Sequence, residues 1–83
     1  MNYSIENQYL KLTVTTKGAQ ICSIIRKDDN VEHMWQADKN VWGFHAPIMF
    51  PHCGKVVDGV IEAKGQTYPA GQHGFARLME HTF

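Results

Sequence analysis

From Tyr9 to Thr16 apolar and polar side chains alternate, with Leu10, Leu12 and Val14 on one side of an extended chain and Lys11, Thr13 and Thr15 on the other. A period of two is that of a strand with one buried face. Tyr3-Ser4-Ile5-Glu6 alternates in the same way, and the intervening Asn7-Gln8 tolerates a turn, so the two runs predict a hairpin. Lys17-Gly18-Ala19 breaks the pattern. Gln20 to Lys27 resumes it as a β-rich run, with Ile21 and Ser23 on one face and Cys22 and Ile24 on the other. Asp28-Asp29-Asn30 is a strong turn signal because each side chain can bond its own nearby backbone, and Val31 to Trp35 is the fourth candidate strand, closing a second hairpin. The pattern therefore predicts strands near residues 3–6, 9–16, 20–27 and 31–35. On this reading Leu12→Lys buries a charge and costs several kcal/mol.

No sustained 3.6-residue period occurs in the first half of the chain, so no helix is predicted there. Ala37 to Trp42 allows a single helical turn capped by Asp38 before Gly43 interrupts it. From Trp42 onward the character changes, as Trp42, Phe44, His45, Pro47, Phe50, Pro51, His52, Cys53 and Gly54 crowd together. The two prolines deny this segment a regular helix or a central strand. It is either a plug on the end of a sheet or the wall of a pocket. Residues 56–68 read as short strand, turn, short strand, and the chain has neither an internal repeat nor a low-complexity tract.

With 83 residues, 43% hydrophobic and 19% charged, the chain has the composition of one small globular domain. Its core must be thin, since a chain of this size buries only a little over ~60% of the surface its unfolded form exposes. Eight Lys and Arg balance eight Asp and Glu, and no basic cluster offers a face to nucleic-acid phosphates. The mixed run Arg26-Lys27-Asp28-Asp29 reads as a hairpin tip. Cys22 and Cys53 have no CxxC spacing, and Met1 to Glu6 has neither a basic nor an apolar leader region, so free thiols and a cytoplasmic location are expected. No apolar run approaches the ~18 residues of a membrane-spanning helix.

His45, His52, Cys53, His73 and His81 are residue types that bind zinc, but none occurs as CxxC, HxxxH or HExxH, so no metal is expected. Adjacent His52 and Cys53 point to opposite sides of an extended chain, a poor geometry for a thiol and its base. The run Gln72-His73-Gly74-Phe75-Ala76-Arg77 sets an imidazole and a guanidinium four positions apart, and Gly74 leaves space for a close approach to the backbone. His73 is either a structural histidine or part of a ligand-facing loop. Lys55, after Gly54, is either a cation that meets a sugar hydroxyl or an anion, or a solvated lysine at a turn. General acid–base chemistry needs a second group of opposite role, and only Leu78-Met79-Glu80-His81-Thr82-Phe83 follows.

Taken in order, Ile5-Glu6-Asn7-Gln8-Tyr9-Leu10, Lys17 to Ile24, Trp35-Gln36-Ala37-Asp38, Trp42, Ala46 to Lys55 and Gln72 to Arg77 form a pattern. It resembles the N-terminal part of the galactose mutarotase (aldose 1-epimerase) family, in particular its LacX-like bacterial branch, which is also similar to the hexose-6-phosphate mutarotases. The resemblance implies an all-β fold, with antiparallel strands from the N-terminal part of a galactose mutarotase-like β-sandwich (supersandwich). Residues 1–83 are then the truncated N-terminal portion of a single aldose 1-epimerase-like domain. It implies interconversion of the α and β anomers of a hexose or hexose phosphate without a cofactor, a carboxylate taking the anomeric hydroxyl proton while a histidine protonates the ring oxygen. By the same match His73 is a sugar-binding residue near the ring oxygen and Arg77 a hydroxyl or phosphate contact. Lys55 stands where this branch usually has arginine, which keeps the charge and loses the fork-shaped donor geometry. The family's general-acid histidine and general-base glutamate lie beyond Phe83, so no catalytic residue is expected in this chain and the fragment alone is expected to be inactive. Two other readings remain at this point: a carbohydrate-binding β-domain that uses Trp35, Trp42 and Phe75 as stacking platforms, or an interaction remnant that pairs its strand edges. Either a second copy or a missing C-terminal segment is the expected protein partner.

Overall fold

A computed structural model describes residues 1–83. Four antiparallel strands, β1 (Asn2–Glu6), β2 (Leu10–Thr15), β3 (Ile21–Arg26) and β4 (Val31–Glu32), form one sheet in sequence order. A separate hairpin pairs β5 (Val60–Ala63) with β6 (Gln66–Pro69), and the only helical pieces are 3₁₀ turns at Val57–Gly59 and Ala76–Leu78. The β1–β2 connection closes because Asn7 Oδ1 accepts the backbone N–H groups of Tyr9 and Leu10, at 2.8 and 2.9 Å. At the β5–β6 tip Lys64 and Gly65 both lie at positive φ, 50° and 77°, as a tight two-residue loop requires.

The register sorts side chains by polarity. Ile5 pairs with Leu12 and Leu12 with Ile24, while Tyr3 pairs with Val14, which makes one face of the sheet apolar. On the other face Ser4 pairs with Thr13 and Thr13 with Ser23, and the Ser4 and Thr13 hydroxyls meet at 2.9 Å. A bulge between Thr13 and Val14 leaves Cys22 unpaired, so Ile21 and Ser23 meet partners on opposite sides of β2 instead of sharing a face.

β4 is two residues long, not the five expected. Its continuation would need the His33 carbonyl to take the Ile24 N–H, and the Glu32 carboxylate takes that donor instead, at 2.7 Å. The same carboxylate accepts the Met34 N–H at 3.1 Å and the Ser23 hydroxyl. The chain leaves the sheet there. Further on, Asp38 makes the turn foreseen for it: its carbonyl accepts the N–H of Val41 and Trp42, and its carboxylate caps Asn40 N–H at 2.9 Å.

Six residues are buried, namely Thr16, Gly18, Gln20, Ala70, Gly74 and Ala76, and no large apolar side chain is fully enclosed. The molecule is accordingly elongated, 55 × 30 × 18 Å. Its centre is the loop after β2, which the sequence marks only as a break. Thr16 N–H donates to the Met1 carbonyl at 2.8 Å, Thr16 O accepts His81 N–H at 2.9 Å, and Gly18 N–H donates to Met79 O at 2.7 Å. Gln20 Oε1 accepts the N–H groups of both His45 and Ala46 at 3.0 Å. The apolar sheet face stays open, with Ile5 73% exposed, and Leu12 only half-buried. A lysine at Leu12 therefore keeps its ammonium in water along its own stem, which reduces the expected cost to lost packing, about 1 kcal/mol.

Candidate functional site

The loop that carries His73 is pinned to the proline-rich segment chiefly through backbone groups. Phe50 O accepts the N–H groups of Phe75 and Ala76, at 2.9 and 3.2 Å, and Phe50 and Gly74 form an isolated bridge. Gly74 sits at φ 77°, and a Cβ there would lie 2.1 Å from Phe50 O. Only glycine permits this approach. One residue earlier, His73 N–H donates to Gly54 O at 2.8 Å while Gly54 N–H donates to the His73 ring at Nδ1, 3.0 Å away.

The 3₁₀ turn at Ala76–Leu78 then carries Arg77 back over the aromatic segment. Its guanidinium carbon lies 5.3 Å from the centroid of the Phe44 ring, and Nη2 donates to Gln72 O at 3.3 Å. Arg77 Nε is enclosed and has no partner. The opposite wall is held by Gln20 under His45 and Ala46, by Trp35 Nε1 donating to Trp42 O at 2.8 Å, and by His45 Nδ1 donating to Trp35 O at 2.6 Å. The result is a cleft of about 440 Å³ lined by Trp42, Phe44, Pro47, Met49, Gln72, His73 and Arg77. Aromatic and apolar walls with a few convergent polar groups are the make-up of a small-molecule site. Two further hollows, of about 290 and 320 Å³, lie on the open sheet face among Tyr3, Ile5, Leu10, Leu12, Val14 and Phe83. They mark uncovered packing surface and hold neither an imidazole nor a guanidinium.

Of the three residues singled out in the sequence, His73 and Arg77 meet in the cleft. Lys55 does not line it; the residue is exposed and makes no ion pair. Among the candidate stacking platforms only Trp42 reaches the cleft. Trp35 is tied to the Trp42 carbonyl from outside, and Phe75 packs edge-on against Phe50 with ring centroids 6.4 Å apart. Phe44, Pro47, Met49 and Gln72 were not singled out as contacts. The crowding of residues 42–54 was their signal, and it resolves here as the wall of a pocket.

The other reactive groups are committed elsewhere. His52 turns Nε2 to Gly71 O at 2.8 Å, and Cys53 Sγ lies 3.7 Å from Met49 Sδ, so the adjacent pair makes no thiol–imidazole contact. Burial pushes the Cys22 thiol up from its ordinary pKa, with a smaller upward push from the Glu32 charge. The Ser23 hydroxyl, helped by backbone N–H groups, holds the Glu32 carboxyl below its usual range. No three of the His, Cys, Asp and Glu side chains gather as a metal site. No carboxylate lines the cleft. It can donate hydrogen bonds and stack on a ring.

The sequence profile of the family described as aldose 1-epimerase matches residues 1–83. Two LacX proteins of Lactococcus lactis subsp. lactis, one plasmid-borne and one chromosomal, are 37% identical over 99% of this chain, which spans 29% of their length. A galactose mutarotase related enzyme from Lactobacillus acidophilus superposes with a TM-score of 0.91 at 42% identity, over 96% of this chain and 27% of its own. A galactose mutarotase-like protein from Lactobacillus casei superposes with a TM-score of 0.90 at 40% identity, over the same shares. The antiparallel all-β arrangement is thus that of the mutarotase-like structures, and this chain belongs to the aldose 1-epimerase family.

Proposed function

We propose that residues 1–83 are the N-terminal portion of an aldose 1-epimerase-like domain and form one wall of its monosaccharide site. The observation that carries this reading is the meeting of His73 and Arg77 across from Trp42 in one cleft that contains no carboxylate. Trp42 offers its ring to the C–H face of a pyranose, and His73, Gln72 and Arg77 offer donors to its oxygens. Arg77 already spends one donor on Gln72 O, and its remaining exposed donors suit a hydroxyl or a phosphate oxygen. Lys55 follows Gly54, whose N–H holds the imidazole, and its exposed side chain offers a cation to a sugar hydroxyl or a phosphate oxygen. The whole domain interconverts the α and β anomers of a hexose by acid–base ring opening, and this wall binds without supplying the proton-transfer pair.

Polarimetry on freshly dissolved α-galactose tests the second half of the reading. A positioned acid or base each contributes roughly 10²–10⁴ in rate, so the 83-residue chain alone should leave mutarotation at the buffer rate. Ligand-observed NMR with galactose tests the first half, with saturation transfer expected for the chain and lost in His73→Ala. A rate enhancement that disappears in His73→Ala would overturn the assignment of a binding role alone.

A further inference from the structure

Three histidine rings in this molecule donate to backbone carbonyls: His45 Nδ1 to Trp35 O at 2.6 Å, His52 Nε2 to Gly71 O at 2.8 Å and His81 Nε2 to Ala76 O at 2.9 Å. His73 is bonded the other way round. Its Nδ1 receives a backbone N–H, that of Gly54, at 3.0 Å. An amide N–H can only donate, so the ring nitrogen it meets must present a lone pair, and the hydrogen of the neutral imidazole must sit on Nε2. The two backbones are held in register by the return bond from His73 N–H to Gly54 O at 2.8 Å, and the ring cannot swing away without leaving the Gly54 N–H unpaired.

We infer that Gly54 is a positioning residue whose backbone N–H fixes His73 as the neutral Nε2–H tautomer, making it a dedicated hydrogen-bond donor to an oxygen of the ligand in the cleft. Nε2 lies beside the side-chain amide of Gln72, with the amide nitrogen 3.3 Å away, and both residues line the cleft. Two N–H groups do not bond each other, so a half-turn of the exposed Gln72 amide, bringing Oε1 to the ring, completes the arrangement. A ligand oxygen that displaces Oε1 then receives the Nε2–H.

The chemistry that follows is specific. Loss of the Nε2 proton from a neutral ring leaves an imidazolate, and Nδ1 has its lone pair committed to Gly54. His73 therefore holds a hydrogen bond throughout and does not pass a proton to the ligand. A ligand group facing it must be an acceptor, which a hydroxyl or ring oxygen satisfies and an ammonium does not. That the acceptor is a sugar oxygen rests on the function proposed above, whereas the tautomer does not.

Long-range ¹H–¹⁵N correlation of the histidine rings in the ¹⁵N-labelled 83-residue chain reads the tautomer directly, with His73 assigned through its own Cβ. The expected result is Nδ1 in the unprotonated, pyridine-like range, Nε2 in the protonated, pyrrole-like range, and a scalar coupling from Gly54 N to His73 Nδ1 across the hydrogen bond. A protonated Nδ1, or both nitrogens at the averaged positions of free histidine, overturns the inference. Galactose added to the same sample separates the two claims. A shift of His73 Nε2 with Nδ1 unchanged supports both, and an unmoved Nε2 with the tautomer intact counts against the sugar reading alone.

Discussion

Replacing Gly74 by alanine should unfasten the cleft from its support. The added Cβ would lie 2.1 Å from Phe50 O, 2.4 Å from Phe50 C and 2.7 Å from Pro51 N, where real contacts stay beyond 3.0 Å. All three atoms are backbone, so no side chain can rotate to make room. About 0.9 Å of separation must open, measured from 2.1 Å to 3.0 Å, and that is enough to break the bonds from Phe75 and Ala76 N–H to Phe50 O. Each such bond contributes about 1 kcal/mol net. An alanine held at positive φ adds roughly 1–2 kcal/mol, so the loss comes to about 3–4 kcal/mol. A domain of this size has a total stability of only about 4–12 kcal/mol. Gly65→Ala is the matched control, because Gly65 has the same φ of 77° with nothing within 4 Å of a Cβ, and only the conformational cost applies. In urea titrations at one protein concentration, with a slope of about 1.5 kcal/mol per M, the Gly74→Ala midpoint should fall by about 2 M and the Gly65→Ala midpoint by about half as much. Equal midpoints for the two variants would refute the argument, since the clash would then cost nothing.

The open apolar face predicts that the chain self-associates at micromolar concentration in sedimentation velocity, and that Ile5→Lys, at a position 73% exposed, shifts it toward monomer. A dispersed wild-type monomer that unfolds cooperatively would remove the basis for this expectation. Glu32 gives a pH signature. Its folded pKa lies below the unfolded value of about 4.3, so its contribution is complete above that value and is lost as the pH falls through the folded value. Between about pH 6 and about pH 3, wild type should therefore lose more urea stability than Glu32→Gln, and parallel profiles would show that the carboxylate contributes nothing.

Much of the sheet was legible because alternation in a short strand needs no tertiary information. β1, β2 and β3 fall where the period of two puts them. The same alternation says which face is made to be covered, not whether it is covered, and Leu12 is half-exposed for that reason. The end of β4 was not legible, since nothing local to Val31–Trp35 tells that the Glu32 side chain turns back onto Ile24 N–H. At the site, the spacing from His73 to Arg77 survives because a short loop and a single 3₁₀ turn join them. The bond that holds the His73 ring was not legible, because it is made by the Gly54 backbone and a sequence names side chains more readily than main-chain donors.

The buried loop at Thr16–Gln20 also sets an order of assembly. The hairpins of the sheet close over a few residues, whereas Gln20 must capture His45 from 25 positions away and Thr16 must capture His81 from much farther. Closing longer loops costs more chain entropy and comes later. Both cleft walls hang on those distant captures, one through Gln20 and the other through the segment that returns to Thr16. The sheet is therefore expected to form before the cleft. In native-state hydrogen exchange the amides of Phe75 and Ala76 should open as a unit before those of β2 and β3, so that the cleft is the last feature to close and the first to open.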